Sequence, residues 1–147
     1  MNNRGLQEVP YVVVAAAILQ RAGKILLSRR RLDVHQGGLW EFPGGKREAG
    51  ETLEQCLRRE LKEELDIEVC DVRPFSTVRH RYPEKEVELN VFTCSIHQGE
   101  PKALECMEIV WVHRHELSSY EFPAADRPVL RKLMQEQAEP ESCRNPA

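Results

Sequence analysis

Three glutamates, Glu60, Glu63 and Glu64, stand at i, i+3 and i+4 in a stretch, Glu51 to Leu65, that is rich in Leu, Glu and Arg and contains neither Gly nor Pro. Its leucines, Leu53, Leu57, Leu61 and Leu65, recur every four residues, so the spacing predicts a helix over 51–65 with one apolar stripe. On a wheel of about 100 degrees per residue with Leu57 at zero, Glu64 falls at about −20 degrees, inside the stripe. Glu60 falls at about −60 degrees, at the border, and Glu63 at about −120 degrees, just beyond it. One carboxylate therefore points where the leucines point. Burying it ionised and unpaired costs several kcal/mol, and its acidic neighbours repel it, so a cation or a raised pKa is required. Arg58 and Arg59, at about 100 and about 200 degrees, are expected to point away and serve other partners. Hard divalent cations take oxygen ligands, and Mg²⁺ in particular is held by a few carboxylates plus substrate phosphates, which makes a Mg²⁺ site the simpler solution. The competing reading is a solvated acidic helix face.

The segment ahead of that helix favours the metal. Gly37 to Gly45 holds four glycines and Pro43 in nine residues, which is loop composition, and glycines let backbone amides and carbonyls come close to phosphate or metal. Upstream, Tyr11–Leu19 and Ile25–Leu27, joined through Arg21-Ala22-Gly23, read as a hairpin. Downstream, 67–78 and 87–94 read as two strands around a turn at Tyr82-Pro83-Glu84-Lys85. Gln98–Pro101 opens a loop, 109–112 is a short strand around Trp111, and 127–137 closes as a helix with Pro128 in its first turn. The expected organisation is an N-terminal extension over 1–10, one α/β domain over 11–137 and a loose polar tail over 138–147.

A chain of 147 residues is about one domain's worth, and a net charge of −3 supplies no positive field for a polynucleotide. No stable nucleic-acid partner is expected. The longest apolar run, Tyr11–Leu19, is far short of the roughly 20 residues that a membrane helix needs and reads as a buried strand rather than a secretory signal. Five cysteines form no CxxC pair and are odd in number, which suggests neither a zinc site nor a disulfide framework and fits a reducing cytoplasm.

Gly45, five residues, Glu51, seven residues, then Arg59-Glu60-Leu61-Lys62-Glu63-Glu64-Leu65-Asp66-Ile67 resembles the Nudix box of the Nudix hydrolases. Six of its seven prescribed polar or glycine positions match. The departure is Asp66, where the family usually has glycine; a left-handed conformation is useful just past a helix, and Asp tolerates it less well than Gly but better than most residues. Leu39–Lys46 and Phe122–Val129 resemble the flanking segments of MutT-type members, so the likeness spans roughly residues 12–133.

The resemblance implies a Nudix fold, a mixed curved sheet sandwiched between helices. It also implies Mg²⁺-dependent cleavage of a nucleoside triphosphate to a monophosphate and pyrophosphate, with Mn²⁺ as a substitute. It assigns Glu60, Glu63 and Glu64 to metal binding, with a carbonyl of Gly44 or Gly45 and with Glu105 from the loop before the last strand; Glu108 is close enough to be confused with Glu105. The catalytic set is Glu60, Glu64 and Glu105, with Glu60 the first choice of general base and Glu105 the second. Glu51 and Arg59 pair structurally. Arg30, His35 and Lys46 align with phosphate or nucleotide contacts, and Glu41, Phe42, Pro43, Gly44 and Asp126 complete the substrate-binding set.

Asp126 bears on the base. The MutT enzymes acting on oxidised guanine nucleotides have asparagine there, which both donates and accepts, whereas an ionised Asp only accepts. Its other reading is a helix-capping residue beside Pro128. The expected substrate is an oxidised purine dNTP such as 8-oxo-dGTP. The alternatives are CTP or 5-methyl-dCTP, an RNA 5′ end, and a non-catalytic module that binds a nucleotide or lesion. The chain is expected to be a monomer or homodimer.

Overall fold

The computed structural model describes residues 8–136; the expected tail at 138–147 and most of the extension lie outside them. The elements run β1 (Tyr11–Arg21), β2 (Lys24–Arg29), β3 (Trp40–Glu41), β4 (Gly44–Lys46), α1 (Leu53–Leu65), β5 (Glu68–Tyr82), β6 (Lys85–Gln98), β7 (Glu108–His113) and α2 (Arg127–Gln135). Two 3₁₀ turns, Arg114–Ser119 and Ala124–Asp126, lie between β7 and α2.

The strands form one mixed sheet in the order β3-β2-β1-β6-β5, with β4 added to β1 and β7 to β2. β1 and β6 are parallel and the other pairs antiparallel. The β1–β2 hairpin is paired only at its closed end, Gln20 with Ile25 and Arg21 with Lys24. Beyond that the two strands part, and the glycine segment, read from composition as pure loop, enters as the short strands β3 and β4. This close approach requires glycine at 44: a Cβ there would lie 2.0 Å from the Ala15 carbonyl oxygen.

Each face of the sheet carries its own core. Ala15, Ala17, Leu19 and Leu26 pack on Leu57, Leu61 and Leu65 of α1, and Ile18, Leu27, Leu89 and Val91 lie on the side of Val129 and Leu133 of α2. Full burial of each such aliphatic side chain contributes about 1.5–3 kcal/mol, which makes the leucine stripe the force that seats α1. α1 starts at Leu53 rather than Glu51 because Thr52 caps it: its hydroxyl accepts from the Gln55 amide at 3.0 Å while the Gln55 side chain accepts from the Thr52 amide at 2.9 Å. The helix ends at Asp66, which takes the left-handed conformation (φ 60°, ψ 45°) anticipated for the position where the family has glycine. The β5–β6 turn is tighter than expected, with Tyr82 paired to Lys85. Among the described residues no helix is long and apolar enough to cross a membrane.

Candidate active site

The three α1 glutamates are buried in the order of their places on the wheel. Glu64 is 6% exposed, Glu60 is partly buried and Glu63 is exposed. Burial, reinforced by the charge of Glu41, pushes the Glu64 carboxyl up to about 8, and its Oε1 accepts a hydrogen bond from the Gly44 amide at 3.3 Å. Burial also raises Glu60, against the opposing pull of Arg59. Gly45 sits flat on this group: a Cβ there would lie 2.2 Å from the Glu60 carboxylate.

The expected direction of Arg59 needs correction. Its Nε lies 2.5 Å from Glu51 Oε2, and its Nη1 lies 2.9 Å from Glu60 and 3.2 Å from Glu63. A wheel gives the direction of Cβ, and the long arginine stem bends back from there into the acidic cluster. Arg59 Nη2 also donates to the Lys46 carbonyl at 3.0 Å, so one side chain ties the glycine strand to α1. Arg58 does point away, to Glu54 and the Val69 carbonyl.

The 102–107 loop crosses the C-terminal end of α1. Lys102 and Leu104 donate to the Leu65 and Glu64 carbonyls at 3.0 Å each, and Met107 donates to Arg29 O at 2.9 Å. These bonds bring the exposed Glu105 within electrostatic reach of Glu60 and Glu64. Glu108 is held instead by Arg29 at 3.0 Å, which separates the two residues that sequence could confuse.

A cleft of about 220 Å³ is bordered by Gly44, Gly45 and Lys46 and also by Arg30, His35, Glu41, Phe42 and Asp126. Pro43 does not line it; this residue is buried, and its carbonyl accepts the Ala17 amide at 2.8 Å. Arg30 pairs with the partly buried Glu41 at 2.7 Å, and Phe42, 2% exposed, packs on Phe122 with ring centroids 5.3 Å apart. Lys85, which sequence left in a turn, also reaches the cleft, where burial and the like charges of Arg30 and Lys46 lower its pKa. Mutually repelling cations around a cleft suit an anion. A larger groove of about 730 Å³ beside α2, lined by Leu117, Tyr120, Leu130 and Met134, holds none of the acidic cluster.

Asp126 is 6% exposed, and its side chain makes no capping bond to α2. Burial first, and then the charge of Glu41, push its carboxyl up to about 8 against the pull of Arg30. Burial thus favours the neutral carboxyl, which, like an asparagine amide, both donates and accepts.

The donor set fits a hard divalent cation. Glu60, Glu63, Glu64 and Glu105, with the main-chain carbonyls of Gly44 and Gly45, are oxygen ligands only, and Glu64 is a buried carboxyl in want of a counter-charge. Among the described residues no three acidic, His or Cys side chains enclose a cation as they stand, and Glu60 and Glu63 are both engaged by Arg59.

An acidic helix seated on a glycine strand, in a mixed sheet between two helices, is the architecture of the Nudix class. Residues 14–132 match the NUDIX domain family, and the chain belongs to it as a MutT-like Nudix hydrolase, a pyrophosphohydrolase. It is similar to the 8-oxo-dGTP diphosphatase of Haemophilus influenzae, 35% identical over 85% of this chain and 93% of the relative. It is likewise similar to the CTP pyrophosphohydrolase of Escherichia coli, 37% identical over 84% of this chain and 91% of that one. The crystal structure of the MutT protein from Methanosarcina mazei superposes with a TM-score of 0.76, at 27% identity over 90% of this chain and 99% of that one.

Proposed function

We propose that the chain converts a nucleoside triphosphate to a nucleoside monophosphate and pyrophosphate, and that its substrate is an oxidised purine deoxynucleotide such as 8-oxo-dGTP. The observation that carries the base assignment is the burial of Asp126 in the cleft, which together with the charge of Glu41 pushes its carboxyl up to about 8 and favours the protonated form. Its O–H donates and its other oxygen accepts, which complements the O6 acceptor beside the N7 hydrogen of 8-oxoguanine. Ordinary guanine shows two acceptors on that edge, O6 and N7, so one oxygen of Asp126 would face a lone pair.

Glu60, Glu63, Glu64 and Glu105, with a carbonyl of Gly44 or Gly45, would hold Mg²⁺ or Mn²⁺. When bound, the ion supplies neutralisation of the phosphate oxygens and acidification of the attacking water. Lys46, Lys85 and Arg30 hold the phosphates, and Phe42 supplies an apolar wall for the base. Glu60 takes the proton from the water that attacks phosphorus, and pyrophosphate leaves.

Cytosine is the second reading, favoured by the same carboxyl. Its N3 acceptor beside the N4 amino donor also complements a neutral Asp126, and the E. coli relative named a CTP pyrophosphohydrolase supports it. A binding-only module is opposed by the complete carboxylate set. The test is a panel with Mg²⁺ of the common NTPs and dNTPs, 8-oxo-dGTP, 5-methyl-dCTP and a triphosphorylated RNA, with pyrophosphate and phosphate assayed separately. Pyrophosphate release with the highest kcat/KM on 8-oxo-dGTP is expected. A cytosine preference moves the assignment to the second reading, and tight binding without turnover ends the enzymatic one.

A further inference from the structure

His35 lines the cleft, and its two ring nitrogens are treated differently. Nδ1 lies 2.6 Å from Oε2 of Glu84, in the β5–β6 turn. A carboxylate accepts and does not donate, so this contact favours the hydrogen on Nδ1. Nε2 is shielded from solvent and has no hydrogen-bond partner among the described residues. In a neutral ring protonated at Nδ1, Nε2 is a lone-pair acceptor.

The ring is held from several sides. It meets the Tyr82 ring edge-on at 4.8 Å, and His80 packs against Tyr82 in turn at 4.6 Å. The Tyr82 hydroxyl accepts the amide hydrogen of Ala125, beside Asp126, at 3.1 Å. Arg30 Nε donates to the His35 carbonyl at 2.9 Å, and Gln36 turns the chain away with φ 59°. The charged groups facing the ring are Arg30, Lys85 and Glu84; burial together with the two cations outweighs Glu84 and disfavours the imidazolium. A phosphate oxygen, which only accepts, has no match at such an Nε2, and Lys46 and Lys85 already serve that purpose.

Resting on the reading of this cleft as a nucleotide site, we propose that Glu84 fixes His35 as the Nδ1–H tautomer so that Nε2 accepts a hydrogen bond from a neutral O–H or N–H donor of the bound nucleoside. The resemblance aligns His35 with a phosphate or nucleotide contact; this assignment makes it an accepting contact to the nucleoside rather than a cation beside Arg30 and Lys46. Glu84 is a positioning residue, acting through His35.

The test is a long-range ¹H–¹⁵N imidazole spectrum of the full chain at pH 7.5, alone and with CMP or 8-oxo-dGMP, without metal. The Nδ1–H tautomer is expected in the free protein, and the Nε2 resonance is expected to move on binding. Glu84→Ala should scramble the tautomer and weaken nucleotide binding about tenfold, and Glu84→Gln, which keeps an accepting oxygen, should restore both. His35→Gln, which keeps an acceptor, should bind within about threefold of wild type, while His35→Lys should lose about tenfold or more.

The reverse order of His35→Gln and His35→Lys, or an imidazolium or Nε2–H ring in the free protein, overturns the proposal. If the Phe42 and Ala125 amides respond to nucleotide while Nε2 does not, the acceptor role alone falls. If neither monophosphate perturbs any cleft resonance, the acceptor role falls together with the nucleotide reading. Given an Nε2 response to CMP, its loss with 2′-deoxy- or 3′-deoxy-CMP assigns the donor to that sugar hydroxyl, and its retention with both assigns it to the base amino group.

Discussion

Glu51 and Arg59 are joined by an ion pair of 2.5 Å that spans the junction between the glycine segment and α1. Glu51 lies just before the Thr52 cap, and Arg59 also grips the Lys46 carbonyl, so the pair fixes where Gly45 lies over Glu60. Arg59 thereby organises the acidic cluster without belonging to it, and it shares its Nη1 between Glu60 and Glu63.

Glu51→Gln should lower kcat about tenfold or more with a smaller change in KM, because misplacing the glycine strand displaces reacting groups. The hydrogen bonds from Arg59 and the Glu48 amide hold the Glu51 carboxyl down at about 2. A carboxyl depressed on folding contributes stability that is complete above its ordinary pKa and lost as pH falls through about 2. The Tm difference between wild type and Glu51→Gln should therefore be constant above pH 5 and shrink as the solution is acidified toward pH 2, which thermal melts across that range would show.

Glu64→Gln should separate function from stability. Turnover should fall by about 100-fold or more, as expected for loss of a metal-binding carboxylate. The metal-free variant should nevertheless melt higher than wild type at pH 8. With the folded carboxyl raised to about 8, its stability is fully present only below the ordinary carboxylate range and is lost as pH rises through about 8. An amide has no such loss. The rise in Tm on adding Mg²⁺ should shrink in the variant, and a variant equally active and equally stabilised by Mg²⁺ would remove Glu64 from the site.

The α1 stripe and the graded burial of its glutamates were legible because helical periodicity fixes Cβ directions. The left-handed conformation of Asp66 was legible from the box itself. Arg59 was misread for the complementary reason: a long, flexible stem is not bound to its Cβ direction. The short strands β3 and β4 were hidden by the glycines and proline of their segment, since they exist through close approach to β2 and β1 rather than through apolar alternation. Lys85 looked like a turn residue because its role depends on a cleft wall assembled from distant strands. The 3₁₀ turn at Arg114–Ser119 gave little periodic signal, burying Leu117 among polar neighbours. Asp126 was flagged, but the upward shift of its carboxyl depends on burial beside Glu41, which is tertiary information.

Asp66→Gly should raise Tm by about 3 °C with kcat/KM unchanged. An L-residue at φ 60° is strained, and glycine relieves that strain. The change gives up exposed ion pairs with Lys62 at 2.9 Å and Lys102 at 3.5 Å, which contribute little at a solvated surface. A fall in Tm that disappears at high salt would show that those pairs outweigh the backbone strain.

Asp126→Asn should reveal the protonated carboxyl through pH. An amide donates and accepts at every pH, whereas Asp126 does so only below about 8, where it keeps its proton. On 8-oxo-dGTP the ratio of variant to wild-type kcat/KM should stay near one at pH 6.5 and climb as pH rises through about 8. Dividing one profile by the other removes the titration of the metal-side glutamates, which both proteins share. Stability should move in the same sense: a carboxyl raised on folding loses its contribution as pH rises through its folded value, so the Tm advantage of Asp126→Asn should widen from pH 5 to pH 8. A flat ratio together with parallel melting curves would mean that Asp126 is ionised in the folded protein, and the cleft would then suit a base edge that only donates.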